Sequence, residues 1–204
     1  MISIYTGTPG SGKSLHMARR IYYSLYMKKP VITNVPINTD YVKNPELYTY
    51  LKNDNIKPKD LMKMSKSFFG KKRVKEGAIL LIIDESQMMF NARNWDAKGR
   101  AEWNEFFQLH RHYGFDIILV AQFDRMIDRQ VRSLIEYEYV HRKVSNFGIK
   151  GKFLCLLMLS PTLFCCVRRW YPLKEHVGSD FFRYSKKYGR LYDTYMTFED
   201  ENEE

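Results

Sequence analysis

Short apolar runs alternate with helix-like spacing near the start of the chain. Ile2–Thr6 combines β-branched and aromatic residues, which predicts a buried strand. The next apolar positions, Leu15, Ala18, Tyr22 and Leu25, recur at helical spacing. The pattern therefore predicts a strand, a short polar turn and a helix.

Further apolar segments predict more strands of the same sheet, with helices at about 100–112 and 124–134 between some of them. Residues 78–83 are apolar throughout, which is typical of a central parallel strand covered on both faces. Strands that alternate with helices indicate an α/β fold with a mainly parallel central sheet flanked by helices. The predicted strands are Val31–Val35, Ala78–Ile83, Asp116–Ala121 and Glu136–Val140.

Two segments depart from this alternation. Residues 38–77 are rich in Lys, Asn, Asp and Tyr, with weak helical patches near Pro45–Leu51 and Pro58–Met64, and we expect a basic insertion between core strands. Residues 152–171 hold the most apolar stretch, which is shorter than the ~20 residues that a spanning helix needs. We therefore expect a β-hairpin extension there. The predicted organisation is a single domain over 1–198 and an acidic tail over 199–204.

The charge and the cysteine residues of the chain indicate its partners and its cellular compartment. Lys and Arg number 33 against 23 Asp and Glu, and the last six residues hold five of those acids. A basic body favours a polyanionic partner such as nucleic acid or an anionic membrane face, although charge for solubility is the alternative. Cys155, Cys165 and Cys166 lie in apolar surroundings without metal-ligand spacing, so we expect reduced core residues of a cytosolic protein. The first strand begins at once, and we expect no signal peptide.

The polar turn after the first strand carries a complete phosphate-loop motif. Gly7–Ser14 is GTPGSGKS and fits G-x-x-x-x-G-K-[ST] at each fixed position. Glycines allow the backbone N–H groups to turn toward a triphosphate, and the following helix presents its positive end. Lys13 would reach the β- and γ-phosphates, and Ser14 would ligate Mg²⁺. The predicted nucleotide-binding residues are Gly7, Thr8, Pro9, Gly10, Ser11, Gly12, Lys13, Ser14 and Leu15.

Asp84 and Glu85 follow the central apolar run, at the strand end where α/β sheets bind ligands. We predict that Asp84 holds Mg²⁺ through its water shell and that Glu85 polarises the attacking water as a general base. The alternative is a helix N-cap with carboxylates placed at the helix dipole. The phosphate loop upstream favours the functional interpretation.

Three further side chains are candidates for catalysis. Gln122 ends the next strand and could contact the γ-phosphate or the attacking water, unless it only terminates the strand. Arg129 and Arg132 are candidates for arginine fingers that reach a neighbouring subunit, with a solvated basic face as the alternative. His110 and His112 have no third ligand, so we predict no metal site there.

The end of the insertion is a candidate nucleic-acid contact. Basic residues surround a Phe68-Phe69 pair, an arrangement that could hold a nucleic-acid backbone and stack on bases. A solvated loop with a tucked-in apolar pair is the alternative. The candidate residues are Lys66, Lys71, Lys72, Arg73 and Lys75.

The chain resembles the zonula-occludens-toxin (Zot) domain proteins, which include the filamentous-phage assembly and export ATPases. The phosphate loop is common to many families, whereas the His-Arg-His-x-Gly-x-Asp and closing Tyr-Asp-Thr-Tyr segments are more particular. The resemblance runs to about residue 198. The residues that carry it are Gly7–Ser14, Val31–Pro36, Ile83-Asp84-Glu85, His110–Asp116, Gln122 and Tyr192–Tyr195.

The resemblance implies a RecA/ASCE-like P-loop NTPase of the HerA–FtsK branch, with ATP and Mg²⁺ as cofactors. It also implies a homo-oligomer, with a hexameric ring as one form, at the cytoplasmic face of the host's inner or plasma membrane. There the motor would extrude virion single-stranded DNA with coat and assembly proteins. Family members often continue into a membrane-spanning helix, whereas this sequence continues into acidic residues, so association with the cytoplasmic membrane stays open.

Two other functions fit the motifs. A P-loop kinase for a small molecule would use the basic insertion as a lid, although the adjacent Asp84-Glu85 pair suits water activation better. A nucleotide-gated assembly scaffold would bind ATP without productive turnover. A secreted effector would need a signal sequence and a disulfide pattern, and neither is evident.

Overall fold

A single eight-stranded sheet forms the framework of the computed structural model, which describes residues 1–91, 97–160 and 162–192. The strands are β1 (Ile2–Thr6), β2 (Val31–Thr33), β3 (Tyr48–Tyr50), β4 (Ile79–Ile83), β5 (Phe115–Val120), β6 (Tyr137–Lys143), β7 (Leu163–Trp170) and β8 (Glu175–Arg183). The α-helices are α1 (Lys13–Tyr26), α2 (Pro58–Phe69), α3 (Ala97–Leu109), α4 (Arg129–Ser133), α5 (Gly148–Leu157) and α6 (Lys186–Gly189). Short 3₁₀ helices lie at Thr39–Tyr41, Pro45–Leu47, Asn53–Asn55, Asp124–Met126 and Val144–Asn146.

The strand order is β3-β2-β4-β5-β1-β6-β7-β8. Neighbouring strands from β3 to β6 pair in parallel, and β7 and β8 add an antiparallel hairpin. The first strand of the chain is therefore central, with β5 on one side and β6 on the other. Because parallel strands end at the same edge of the sheet, the residues that follow β1, β4 and β5 meet there.

Both faces of the parallel strands are covered, as the apolar run of β4 predicts. Alternate side chains of this strand enter two separate hydrophobic clusters, because successive strand residues point to opposite faces. Leu81 and Ile83 pack in the cluster that contains α2 and α3 residues. Leu80 and Ile82 pack in the cluster that contains the α1 residues Met17, Ile21 and Leu25.

The insertion contributes two elements to the fold. Residues 58–64 belong to α2, as predicted, and this helix continues to Phe69, where Gly70 ends it at a φ of 55°. The helical prediction for Pro45–Leu51 is wrong in its second half, because Tyr48–Tyr50 pairs in parallel with β2 as the edge strand β3. Backbone pairing with the neighbouring strand outweighs the weak local helical pattern.

The hairpin prediction for residues 152–171 is wrong in position. Gly148–Leu157 is the helix α5, and the hairpin lies later, in β7 and β8. Gly151 and Cys155, which are one helical turn apart, are the buried residues of α5. A short apolar run is compatible with either a strand or a helix, and periodicity alone does not separate them.

Residues 92–96, Pro161 and residues 193–204 lie outside the described part of the chain, and with them most of the Tyr192–Tyr195 segment and the acidic tail. Within the described residues, none of the helices combines the length and the apolar content needed to cross a bilayer. Cys155, Cys165 and Cys166 are all buried and free, in agreement with the sequence-based expectation of core residues.

Candidate nucleotide-binding site

The predicted phosphate loop connects the end of β1 to the start of α1. Gly7 N–H donates to the Gln122 carbonyl at 3.1 Å, and Ser11 N–H donates to the Thr8 carbonyl at 3.1 Å. Gly12 has a φ of 97°, and a Cβ there would lie 2.8 Å from the Phe164 ring. A Cβ on Gly7 would lie 2.5 Å from the His141 carbonyl oxygen. Glycine is therefore required at both ends of the turn by backbone angle and by close neighbours.

Lys13 is folded back into this loop. Its Nζ donates to the Gly7 carbonyl at 2.6 Å and to the Thr8 carbonyl at 3.2 Å. Burial lowers the pKa of Lys13, and the charges of Asp84 and Glu85 partly offset that effect. The ammonium group thus lies between the loop carbonyls and the acidic pair, where an anionic ligand would replace weak carbonyl contacts by an ion pair.

Asn34, at the end of β2, fixes the backbone of Asp84. Asp84 N–H donates to Asn34 Oδ1 at 2.7 Å, and Asn34 Nδ2 donates to the Asp84 carbonyl at 2.8 Å. The same Nδ2 donates to Asn53 Oδ1 at 2.6 Å. Because β2 and β4 are neighbours in the sheet, the amide of one strand end can clamp the carboxylate residue of the next. The sequence-based prediction missed this role of Asn34, whose signal is a polar residue directly after a buried strand.

Asp84 is half-buried, and this burial raises its pKa from 3.8 to about 6. Its Oδ1 accepts a hydrogen bond from Glu85 N–H at 2.9 Å, and this bond opposes the rise, as does the nearby charge of Lys13. A carboxylate whose charge is disfavoured by partial burial is well suited to a divalent cation, because the cation would restore the balance of charge.

Glu85 has a left-handed backbone, with a φ of 45°. A residue with a side chain reaches this region at a cost of roughly 1–2 kcal/mol, and such strain is common at functional sites. Its side chain is exposed and accepts a hydrogen bond from Gln87 Nε2. Glu85 and Asp84 line one cavity of about 110 Å³ together with Asn34, Asn53, Met88 and Tyr192.

Gln122 follows β5, the strand between β1 and β4, so it lies between the loop and the acidic pair. Its carbonyl holds Gly7, as described above. Gln122 also borders a second cavity of about 410 Å³ on the other side of the loop, within the size range of small-molecule sites. Other residues that line it are Gly7, Thr8, Asp124, Arg142 and Arg169.

A pair of histidines, of which His16 is half-buried and His141 is buried, lies behind the loop, and the sequence-based prediction missed it. His16 Nδ1 lies 2.8 Å from His141 Nε2, and His141 Nδ1 lies 3.2 Å from the Thr6 carbonyl. Because a carbonyl only accepts, His141 carries its proton on Nδ1 and accepts at Nε2 from His16 Nδ1–H. Burial lowers the pKa of His16 to about 3 and that of His141 to about 4, so both rings are neutral near neutral pH. The pair ties the first turn of α1 to β6 and to the end of β1.

Arg129 and Arg132 both lie on α4. Arg129 is exposed, whereas Arg132 is half-buried, and its Nε has no hydrogen-bond partner within the described part of the chain. Among the described residues, no hydrogen bond or ion pair joins either arginine to the phosphate loop. A role for them in this site would therefore have to be played toward another subunit.

The candidate nucleic-acid residues lie at the opposite edge of the sheet. Lys66 is in the last turn of α2, and the other four are exposed in the turn before β4, at the amino end of that strand. Phe69 is buried, and its ring would lie 2.8 Å from a Cβ on Gly114, whereas Phe68 is 46% exposed. Phe68 is thus the member of the pair that is available for stacking.

The His-Arg-His-x-Gly-x-Asp segment makes contacts that hold the fold together. Arg111 bonds Glu136 at 2.9 Å and Glu76 at 3.3 Å. Asp116 pairs with Arg20 of α1 at 3.2 Å and with Lys29 at 3.5 Å. This segment leads into the amino end of β5, at the edge of the sheet opposite to the phosphate loop.

Comparisons with known proteins show the family and the fold of this chain. A sequence model described as Zonular occludens toxin (Zot) matches residues 1–197. The Gene 1 protein of Enterobacteria phage I2-2 is 28% identical over a region that covers 72% of this chain and 42% of that protein. The chain thus spans less than half the length of the curated phage relatives it matches.

Solved structures show the same fold. The N-terminal domain of zonular occludens toxin from Neisseria meningitidis superposes with a TM-score of 0.58 at 22% identity, over 94% of this chain and 98% of that one. The genome packaging NTPase B204 from Sulfolobus turreted icosahedral virus 2, in complex with ATP-gammaS, has a TM-score of 0.52 at 18% identity, over 89% and 96% of the two chains. These likenesses confirm the predicted α/β P-loop NTPase fold.

Proposed function

Because the chain belongs to the zonular occludens toxin (Zot) family, we propose that it is an ATP-hydrolysing motor for the assembly and export of filamentous-phage single-stranded DNA. One observation carries the proposal: the sheet brings the phosphate loop, the Asp84-Glu85 pair and Gln122 to a single edge. Its relatives include phage Gene 1 proteins, and its structural neighbours include a viral genome packaging NTPase.

The residues at this edge fit a triphosphate with Mg²⁺. Ser11 Oγ is buried and, among the described residues, has no hydrogen-bond partner, and Lys13 Nζ has only carbonyl partners. Both are donors that an anion would satisfy. Ser14 and Asp84 would hold Mg²⁺, which offsets the negative charge that develops on the phosphates.

Each residue of the site would have a separate role in ATP hydrolysis. The loop N–H groups and Lys13 bind and orient the phosphates. Glu85 holds the attacking water and takes its proton on a carboxylate oxygen. Gln122, next to the loop, orients that water or contacts the terminal phosphate. An arginine finger from a neighbouring subunit, Arg129 or Arg132, would stabilise the charge of the transition state.

The proposed assembly is a homo-oligomer, with a hexameric ring as one arrangement, at the cytoplasmic face of the host membrane. Phage coat and assembly proteins would be its protein partners. Single-stranded DNA would bind at the edge of the sheet opposite to the nucleotide, through the basic residues Lys66, Lys71, Lys72, Arg73 and Lys75. DNA and ATP would therefore not compete for one surface.

The test is phosphate release from ATP against protein concentration, with and without single-stranded DNA. We expect a cooperative rise that DNA stimulates, no turnover for Lys13→Ala, and retained ATP binding without turnover for Glu85→Gln. Glu105→Gln changes an exposed carboxylate on α3 and serves as the matched control. Near-parental turnover of Glu85→Gln would refute the assigned base. Equal assembly with ATP and a non-hydrolysable analogue would favour the scaffold function instead.

A further inference from the structure

Helix α5 and the turn after it present an unusually apolar surface to solvent. Five side chains of this segment are between 65% and 88% exposed, although each is a large hydrocarbon or aromatic group. Isolated exposed apolar residues are common, but a contiguous group marks an interaction surface. The five are Ile149, Phe153, Leu156, Leu157 and Leu159.

The helix has a buried side and an apolar outer side. Successive residues are separated by about 100° around the helix axis, so Ile149, Phe153, Leu156 and Leu157 share a stripe about 100° wide. Gly151 and Cys155, the buried residues of α5, lie on the opposite side. The outer stripe is therefore a second apolar face that the folded domain leaves uncovered.

Lysines border this stripe on both sides. On the same angular scale, Lys152 lies about 40° beyond one border of the stripe and Lys150 about 20° beyond the other. Both lysines are exposed. The sequence from residue 139 to residue 174 contains seven Lys or Arg and no Asp or Glu. An apolar stripe between lysines, in a stretch of sequence without acidic residues, matches an anionic lipid surface. The hydrocarbon side chains would enter the acyl boundary, and the ammonium groups would reach the phosphates.

We propose that α5 is a membrane-surface helix, which inserts its outer stripe into the interface of an anionic bilayer. A symmetric contact between two copies of α5 would bring Lys150 and Lys152 against like charges, which disfavours a second copy as the occupant. The proposal rests on the proposed function only for the location of the motor at a membrane. It requires neither ATP nor turnover.

The helix follows β6, so it lies at the edge of the sheet that carries the phosphate loop. The proposed contact would therefore place the nucleotide edge toward the bilayer and the basic candidate DNA residues away from it. A single interfacial helix gives reversible attachment, which is compatible with cycles of assembly and release.

Flotation of the full chain with lipid vesicles tests the proposal, with vesicles of phosphatidylcholine alone and with about 30 mol% phosphatidylglycerol. We expect binding only to the anionic vesicles. Phe153→Gln together with Leu156→Gln should weaken binding on the order of 100-fold, and each of Lys150→Gln and Lys152→Gln by about fivefold. Met27→Gln is the matched control, because Met27 is 75% exposed after α1, at the opposite edge of the sheet.

A second measurement separates insertion from adsorption. Phe153→Trp should add fluorescence that brominated acyl chains quench, and a lack of quenching in bound protein would overturn the proposal. Failure of the parent chain to float, or unchanged binding of the double variant, would also overturn it. If the double variant changes only the oligomeric mass in solution, the stripe is a contact between copies and the proposal is wrong. Lys13→Ala should float like the parent, so a failed motor does not affect this test.

Discussion

Replacing Asp84 by Asn should stabilise the protein in the absence of metal and nucleotide. Burial raises the pKa of this carboxyl from 3.8 to about 6, so ionisation of Asp84 opposes folding. A difference of about two pKa units corresponds to roughly 3 kcal/mol at a pH above both values. The variant keeps an oxygen that can accept from Glu85 N–H, and it carries no charge to desolvate. We therefore expect it to gain up to about 3 kcal/mol in the free energy of unfolding near pH 7.5.

The pH dependence has a defined sign. Between about pH 4 and pH 6 the folded parent binds more protons at Asp84 than the unfolded chain does, so its stability falls as pH rises through this window. The gain of Asp84→Asn should accordingly be small near pH 4 and reach its full value above about pH 6. With Mg²⁺ and a non-hydrolysable ATP analogue, the parent should become the more stable of the two proteins, because only the parent keeps the carboxylate that holds the cation.

Urea denaturation in EDTA, followed by circular dichroism at both ends of this pH window, measures the difference. Asp54→Asn is the control, because Asp54 is an exposed carboxylate and should show no gain. An Asp84→Asn variant no more stable than the parent near pH 7.5 would contradict the reasoning. So would a gain of the same size near pH 4, because the charge of Asp84 is then not its source.

Three further predictions concern the surroundings of the site. Asn34→Ala should retain nucleotide binding but lose most Mg²⁺-dependent phosphate release, because it removes both hydrogen bonds to the Asp84 backbone. Unchanged turnover would show that Asn34 does not position Asp84 for the reaction. Gly12→Ala should weaken binding of a fluorescent ATP analogue at least tenfold, and Phe164→Ala should restore part of the loss by removing the ring that the new Cβ meets. The lowered pKa values of His141, about 4, and His16, about 3, should make stability fall as pH drops below about 6.5. In an Asp84→Asn background, His141→Gln should reduce that slope in urea titrations, and the part due to His16 should remain.

Local spacing was sufficient to predict where the main residues of the candidate site lie in the fold. The phosphate loop, with Lys13 and Ser14, is continuous in sequence, and the acidic pair directly follows a buried strand. Such features depend on a few neighbouring residues, so the structure places them at the predicted edge. Gln122 was predictable for the same reason, since the end of a parallel strand fixes its position.

Contacts between distant segments were not predictable in this way. The clamp by Asn34 requires that β2 and β4 be neighbours, and the His16–His141 bond requires that β6 lie beside β1. The hydrophobic periodicity of a single segment does not predict which strands become neighbours in the sheet. The error at α5 has another cause: its apolar residues face solvent on one side and the domain on the other, so the pattern lacks the polar face by which an amphipathic helix is recognised.

The contacts of Gly7 and Gly12 with residues of β6 and β7 have a consequence for protein synthesis. Gly7 lies against His141 and Gly12 against Phe164, so the loop takes its shape from segments made more than a hundred residues later. β1 is likewise translated first but pairs with β5 and β6. Under the proposed function, a nascent chain would therefore not bind ATP until nearly the whole domain has left the ribosome. Chains that terminate before β7 would carry an intact motif yet remain nucleotide-free, and ATP binding would act as a check that a subunit is complete before it joins an assembly.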